Sequence, residues 1–270
     1  MNNNAIGVFD SGLGGLSAVK QMLSAMPNEN IIYFGDTGRV PYGNRSNDTI
    51  RKYAIQDANF LMTHNVKMIV AACGTVSSVA PDLGDILKIP FTGVVNPTCY
   101  SAIKNTKNGR IGVIGTTATI NSHSYKTRIQ EKNPAFEVFE QDCPLFVPLV
   151  ENGFIDRNDP VVKLIVERYM MPLKDADVDT VILGCTHYPI LSDAIADFMG
   201  DKVTLIDSGK ETALYTKKVL LENGLSNTDN SDGCAKFFVS DTPDNFEKVA
   251  SLFLSKDMHN SATQINIEKY

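Results

Sequence analysis

No two cysteines in this sequence are spaced C-x-x-C, so zinc sites built on such pairs and thioredoxin-type redox chemistry are not expected. No apolar run approaches the roughly 18 residues that a membrane-spanning helix needs. The opening stretch MNNNAIGVFD lacks a basic region followed by an apolar core, so no secretory signal is expected. Positive charge is in deficit. A net charge of −6 gives nucleic acid or an anionic lipid surface nothing to attract. Tryptophan is absent, which excludes nothing.

What is present describes a water-soluble globular protein: 270 residues, 43% hydrophobic and 21% charged. That length suits one large domain or two of ordinary size. The five cysteines (Cys73, Cys99, Cys143, Cys185 and Cys234) are odd in number and widely spaced. Without a signal segment they read as free thiols in a reducing cytoplasm.

The most informative stretch is VILGCTHYP, Val181 to Pro189. A short apolar run closing on Gly184 reads as a buried parallel strand. Pro189 suits the first turn of a following helix. Cys185 is therefore expected at the C-terminal end of a strand, the edge where open α/β sheets bind ligands. A nearby helix N-terminus is expected to lower its thiol pKa. Met68 to Ser77, MIVAACGTVS, repeats the arrangement around Cys73.

The echo is longer than one motif. AIGVFDSGLGG (Ala5 to Gly15) is answered by RIGVIGTTATI (Arg110 to Ile120). Ile32–Phe34 is answered by Glu137–Phe139, and Val40-Pro41 by Val147-Pro148, with Glu151 in the corresponding loop. The helical pattern Asp48–Met62 is answered by Val161–Leu173, and the Cys73 strand by Thr180–Cys185. A repeat this long is not a solenoid. It predicts two similar α/β domains with mostly parallel central sheets, related by a pseudo-twofold axis, with the active site in the cleft between them. Further strands are expected at Phe91–Val95, Lys202–Ile206 and Lys236–Val239, and helices at Pro81–Leu87, Glu211–Glu222 and Asp244–Leu254. Asn227–Gly233 reads as a polar loop and the chain from about Ser255 as a polar tail. The piece after the repeat has no counterpart and is expected back on the first half. The domains are then 1–98 plus 209–270, carrying Cys73, and 99–208, carrying Cys185.

Gly12, Gly14 and Gly15 follow a strand and open a helix, but the pattern G-L-G-G is neither G-x-G-x-x-G nor a P-loop. A helix N-terminus receiving a carboxylate is the better use of that geometry. Cys99, Cys143 and Cys234 read as inert core thiols, and His64 and His123 as structural. Cys73 and Cys185 differ, because they occupy equivalent strand ends and each has Thr or His within two residues. Asp10 with Ser11 lies at the same edge as Cys73, whereas Asp36 can simply cap the next turn.

Two facing thiols suit one chemistry in particular. Inverting an amino acid's α-carbon needs a base on one face and an acid on the other, and a thiolate opposite a thiol supplies both. Catalytic pKa values near the working pH favour this, and it calls for no metal and no cofactor. The developing negative charge would then fall to backbone donors and neutral polar groups.

On FDSGLGGLS (Phe9 to Ser17), YFGDTGRVPYG (Tyr33 to Gly43), AACGT (Ala71 to Thr75) and LGCTHYPIL (Leu183 to Leu191), the chain resembles the cofactor-independent glutamate racemases of the aspartate/glutamate racemase superfamily. The resemblance implies two α/β domains with the site between them. It implies Cys73 as the base for D-glutamate and Cys185 as the base for L-glutamate, assisted by Asp10 and His187 respectively, with Glu151 a further acid. Asp10, Ser11, Tyr42, Gly43, Gly74, Thr75, Thr186 and His187 are implied to line the substrate. It also implies a homodimer and a role in supplying D-glutamate for peptidoglycan, hence cell-wall biogenesis and cell shape. The motif expected around Cys73 is Ala-Cys-Asn-Thr; here Gly74 replaces the Asn. The alternatives are an aspartate or other amino-acid racemase of the superfamily, or a binding protein whose thiols no longer react.

Overall fold

Ile6–Asp10 (β1) is buried at every position, as a strand covered on both faces must be. The computed structural model, which describes residues 3–229, 231–254, 257–259 and 261–270, builds the first half around it. Leu16–Ala25 (α1), Ile31–Gly35 (β2), Asn47–Met62 (α2), Met68–Ala71 (β3), Gly74–Val79 (α3), Leu83–Leu87 (α4), Phe91–Gly93 (β4) and Val95–Asn105 (α5) follow. Ser46 caps α2 by accepting from the Thr49 amide. The second half runs Arg110–Gly115 (β5), Thr117–Asn121 (α6), Ser124–Lys132 (α7), Glu137–Asp142 (β6), Phe146–Glu151 (α8), Pro160–Asp175 (α9), Thr180–Leu183 (β7), Ser192–Met199 (α10) and Thr204–Asp207 (β8). Ser208–Glu222 (α11), Ala235–Val239 (β9), Pro243–Leu254 (α12) and Ala262–Gln264 (β10) complete the chain.

The strands form two sheets, ordered β10-β9-β2-β1-β3-β4 and β6-β5-β7-β8. Every pairing is parallel. The order β2-β1-β3-β4 is repeated as β6-β5-β7-β8, and the thiols follow the equivalent strands β3 and β7. The 16-residue helices α2 and α9 also correspond. Parallel strands end at a common edge, so each half presents Ser11 or Thr116, and Cys73 or Cys185, on one rim.

Several local expectations change. Asn96-Pro97 does not end a strand. It lies in the first turn of α5, where proline's missing N–H is no loss. Glu151 is the last residue of α8 rather than a loop acid, and Pro148 again falls in a first helical turn. The polar tail contributes β10, which pairs with β9, and buries Ile267; Ser255, Lys256 and Asn260 of that tail lie outside the described residues, as does Asn230 of the expected polar loop. Cys234 is exposed rather than core. No described helix is long and apolar enough to cross a membrane.

At the opposite edge of the first sheet, Lys67 and Glu29 form a buried ion pair at 2.5 Å, just ahead of β3 and β2. Removing one partner strands the other charge in a dry site. Lys67→Ala is expected to lower unfolding free energy by about 3–5 kcal/mol, measured by denaturant titration; a loss below about 1 kcal/mol would show the pair to be well hydrated.

Candidate active site

The rims of the two sheets enclose a cavity of about 250 Å³. Asp10, Ser11, Tyr42, Gly43, Cys73, Gly74, Thr75, Glu151, Cys185, Thr186 and His187 all border it, so the residues selected from the sequence converge on one place. The first half contributes them from the ends of β1 and β3 and from the 40–44 segment. The second contributes them from the end of β7 and from α8.

The two thiols have unlike surroundings. Cys73 caps α3 and donates to Ser11 Oγ at 3.5 Å. Burial, reinforced by the nearby Asp10 carboxyl, pushes its pKa up to about 12. The expected lowering by a helix N-terminus is therefore reversed at Cys73: a short helix end is outweighed by desolvation and a neighbouring acid. Asp10 is itself raised by burial, against the opposing pull of His187 and of the Gly15, Gly12 and Ser11 backbone amides; the Gly12 amide donates to its Oδ2 at 3.0 Å.

Cys185 Sγ lies 3.8 Å from His187 Nδ1, and His187 Nε2 lies 3.0 Å from Glu151 Oε1. Burial alone would depress the imidazole, but its hydrogen bonds to Cys185 and Glu151 outweigh burial and raise its pKa to about 10. His187 is thus held between the Cys185 sulfur and the Glu151 carboxyl group, partners that favour its protonated form. Phe253 of α12 meets its ring edge-on, with centroids 5.8 Å apart.

Backbone approaches backbone across the cleft. A Cβ on Gly74 would overlap the Gly184 carbonyl oxygen, and one on Gly14 would overlap Thr186 and His187. The G-L-G-G pattern therefore lets the start of α1 reach the opposite half. Thr75 and Thr116 hydroxyls bridge the halves at 3.1 Å, and Thr116 contacts Thr119 at 3.0 Å.

Sequence reasoning missed Thr116, Thr117, Thr119 and Cys143, which also line the cavity. The signal for the threonines was the echo of Ser11-Gly12 by Thr116-Thr117. Cys143 is fully buried beside the cavity, and burial lifts its thiol above the usual range. Asp36 does not border the cavity; it accepts from Arg39 behind the Tyr42 wall. Among the described residues, no group of three or more His, Cys, Asp or Glu side chains is arranged to hold a metal ion.

The fold and these motifs have counterparts. The model of the Asp/Glu/hydantoin racemase family matches residues 9–216. A glutamate racemase from Chlorobaculum parvum is 46% identical over 258 residues, covering 94% of this chain and 93% of that protein. The crystal structure of a Francisella tularensis glutamate racemase in complex with D-glutamate superposes with a TM-score of 0.92 at 40% identity over 100% of both chains. An aspartate racemase from Picrophilus torridus, at 18% identity and a TM-score of 0.59 over 80% of this chain and 94% of its own, shares the fold alone. With the family model spanning most of the chain and a close relative spanning nearly all of it, the chain belongs to the Asp/Glu/hydantoin racemase family.

Proposed function

We propose that this enzyme interconverts L- and D-glutamate by proton transfer between two cysteines. The observation that carries the reading is a pair of thiols from equivalent strand ends on one small cavity. A thiolate at one cysteine takes the α-proton; the thiol of the other returns a proton to the opposite face. The Cys185 side has the imidazolium of His187 placed to donate to a thiolate, while the Cys73 side has a buried thiol held protonated. That resting arrangement suits removal of the proton from L-glutamate by Cys185 and delivery by Cys73. Turnover leaves the charges exchanged, ready for the D-enantiomer. Glu151 orients His187, and Asp10 and Ser11 serve Cys73. The rim residues Tyr42, Gly43, Gly74, Thr75 and Thr186 hold the substrate with hydroxyls and backbone amides.

The same reading makes residues 1–98 plus 209–270 one domain and 99–208 the other. It makes the protein a cytoplasmic homodimer that supplies D-glutamate for peptidoglycan. The high identity to glutamate racemases, against a fold-level likeness to an aspartate racemase, favours glutamate over aspartate.

Incubation with L-glutamate in D₂O, without added cofactor, is expected to abolish optical rotation while deuterium enters the α-carbon. Reaction of aspartate in place of glutamate would move the assignment to the alternative racemase. Cys73→Ser and Cys185→Ser should each slow racemisation by about 10²- to 10⁴-fold with the fold intact, since a hydroxyl is a far weaker acid; rates at wild-type level in either would sink the two-thiol mechanism. Gly74→Ala should force the two cysteine-bearing loops apart and lower kcat/KM by about tenfold or more. Steady-state kinetics check this, and an unchanged value would mean that the contact is not needed for turnover.

A further inference from the structure

Behind the Tyr42–Gly43 wall is a buried polar cluster that the proton-transfer chemistry does not use. The Tyr42 hydroxyl touches Asp36 Oδ2 on one side and Asp57 Oδ2, at 3.0 Å, on the other. Both carboxyl groups are inaccessible to solvent. A phenol has one proton and two carboxylates can only accept, so one of these contacts needs a donor on the acid side.

The surroundings decide which acid donates. Asp36 already receives the Arg39 Nε–H at 2.6 Å and the Ser240 hydroxyl at 2.7 Å, on different oxygens, in addition to the Tyr42 contact. Those donors are what an ionised carboxylate requires. Asp57 receives Arg39 Nη2 at 3.1 Å on Oδ1, and its Oδ2 faces the phenol oxygen. Arg39 is the cation of this cluster, and it also serves Gln56 and the exposed Glu268. One guanidinium does not neutralise two buried carboxylates and a third at the rim.

We propose that Asp57 is held as the neutral carboxylic acid and, by donating a hydrogen bond to Tyr42 Oη, positions the Tyr42–Gly43 wall of the cavity. Tyr42 then donates to Asp36 and accepts from Asp57, so each hydrogen has an acceptor. Burial raises Asp57 well above the ordinary carboxylate range, and Asp36 adds to the effect against Arg39 and the Tyr42 hydrogen bond; Asp10 raises it further. The groups facing Asp57 are thus Asp36, Arg39 and Tyr42 from the 36–42 segment and Asp10 from β1, with Gln56 and Glu268 across Arg39. A neutral Asp57 also keeps one more negative charge away from a cavity that must accept a dicarboxylate; this last point rests on the racemase reading, whereas the protonation does not.

Three measurements on the 270-residue protein test it. An infrared difference spectrum in D₂O at neutral pH, wild type minus Asp57→Asn, should contain the carbonyl stretch of a protonated carboxyl. In unfolding titrations from about pH 6 to about pH 8, folded wild type holds one proton that its unfolded chain releases. Its unfolding constant should therefore rise about tenfold per pH unit relative to Asp57→Asn. In glutamate turnover, Asp57→Ala should raise KM about tenfold with little change in kcat, and Asp57→Asn, which keeps a donor to Tyr42, should restore it. No infrared band together with parallel pH slopes would overturn the protonation, whatever the activity. A band with Asn as poor as Ala would overturn the positioning role. The first two readouts need no turnover, so they stand or fall apart from the assigned reaction.

Discussion

Everything at the site depends on how closely two polypeptide backbones can approach. Gly74 lies against the carbonyl of Gly184 with no room for a Cβ, and these residues flank the two thiols. Each thiol is fixed by its own sheet, but the distance and facing of the pair are set by this contact between sheets. The small cavity, the Thr75–Thr116 bridge and the seating of Gly14 on Thr186 and His187 all presuppose it. Seen this way, the glycine in place of the expected Asn removes an amide side chain and at the same time lets the halves meet more tightly.

The halves are alike in topology and unlike in electrostatics. Strand order repeats, and so does the position of each cysteine after the third strand of its half. One thiol has an acid and a hydroxyl beside it; the other has an imidazole backed by a carboxyl group. The asymmetry lies in the neighbours, Asp10 and Ser11 on one side and His187 on the other, all within four positions of a strand end, with Glu151 added from α8.

That locality explains how much could be read from the chain alone. Strand-end motifs are short, and a parallel sheet brings such ends to one rim, so Asp10, Cys73, Cys185 and His187 could be recognised before any coordinates. The internal repeat carried the pairing of halves. Less visible were features that depend on packing between distant segments. The upward shift of Cys73 follows from burial, which a helix-terminus rule does not see. Helix α5 was hidden by Asn96-Pro97, which punctuates a strand as readily as it opens a helix. The cluster of Asp36, Arg39, Tyr42 and Asp57 draws on a loop and a helix face whose charged residues look solvated in one dimension. Strand β10 is polar at two of its three positions and gave no apolar run to notice.

The late arrival of the last strands has a consequence for how the molecule is made. The ribosome has synthesised every cavity-lining residue once it passes His187. The supports come afterwards: β9 pairs with β2, Phe253 covers the His187 ring, and Glu268 reaches Arg39. The first sheet therefore cannot close in order of synthesis, as an N-terminal domain ordinarily would. A nascent chain holds both thiols before it holds β9, Phe253 and Glu268, so the walls of the cavity are made well ahead of the frame that holds them in place.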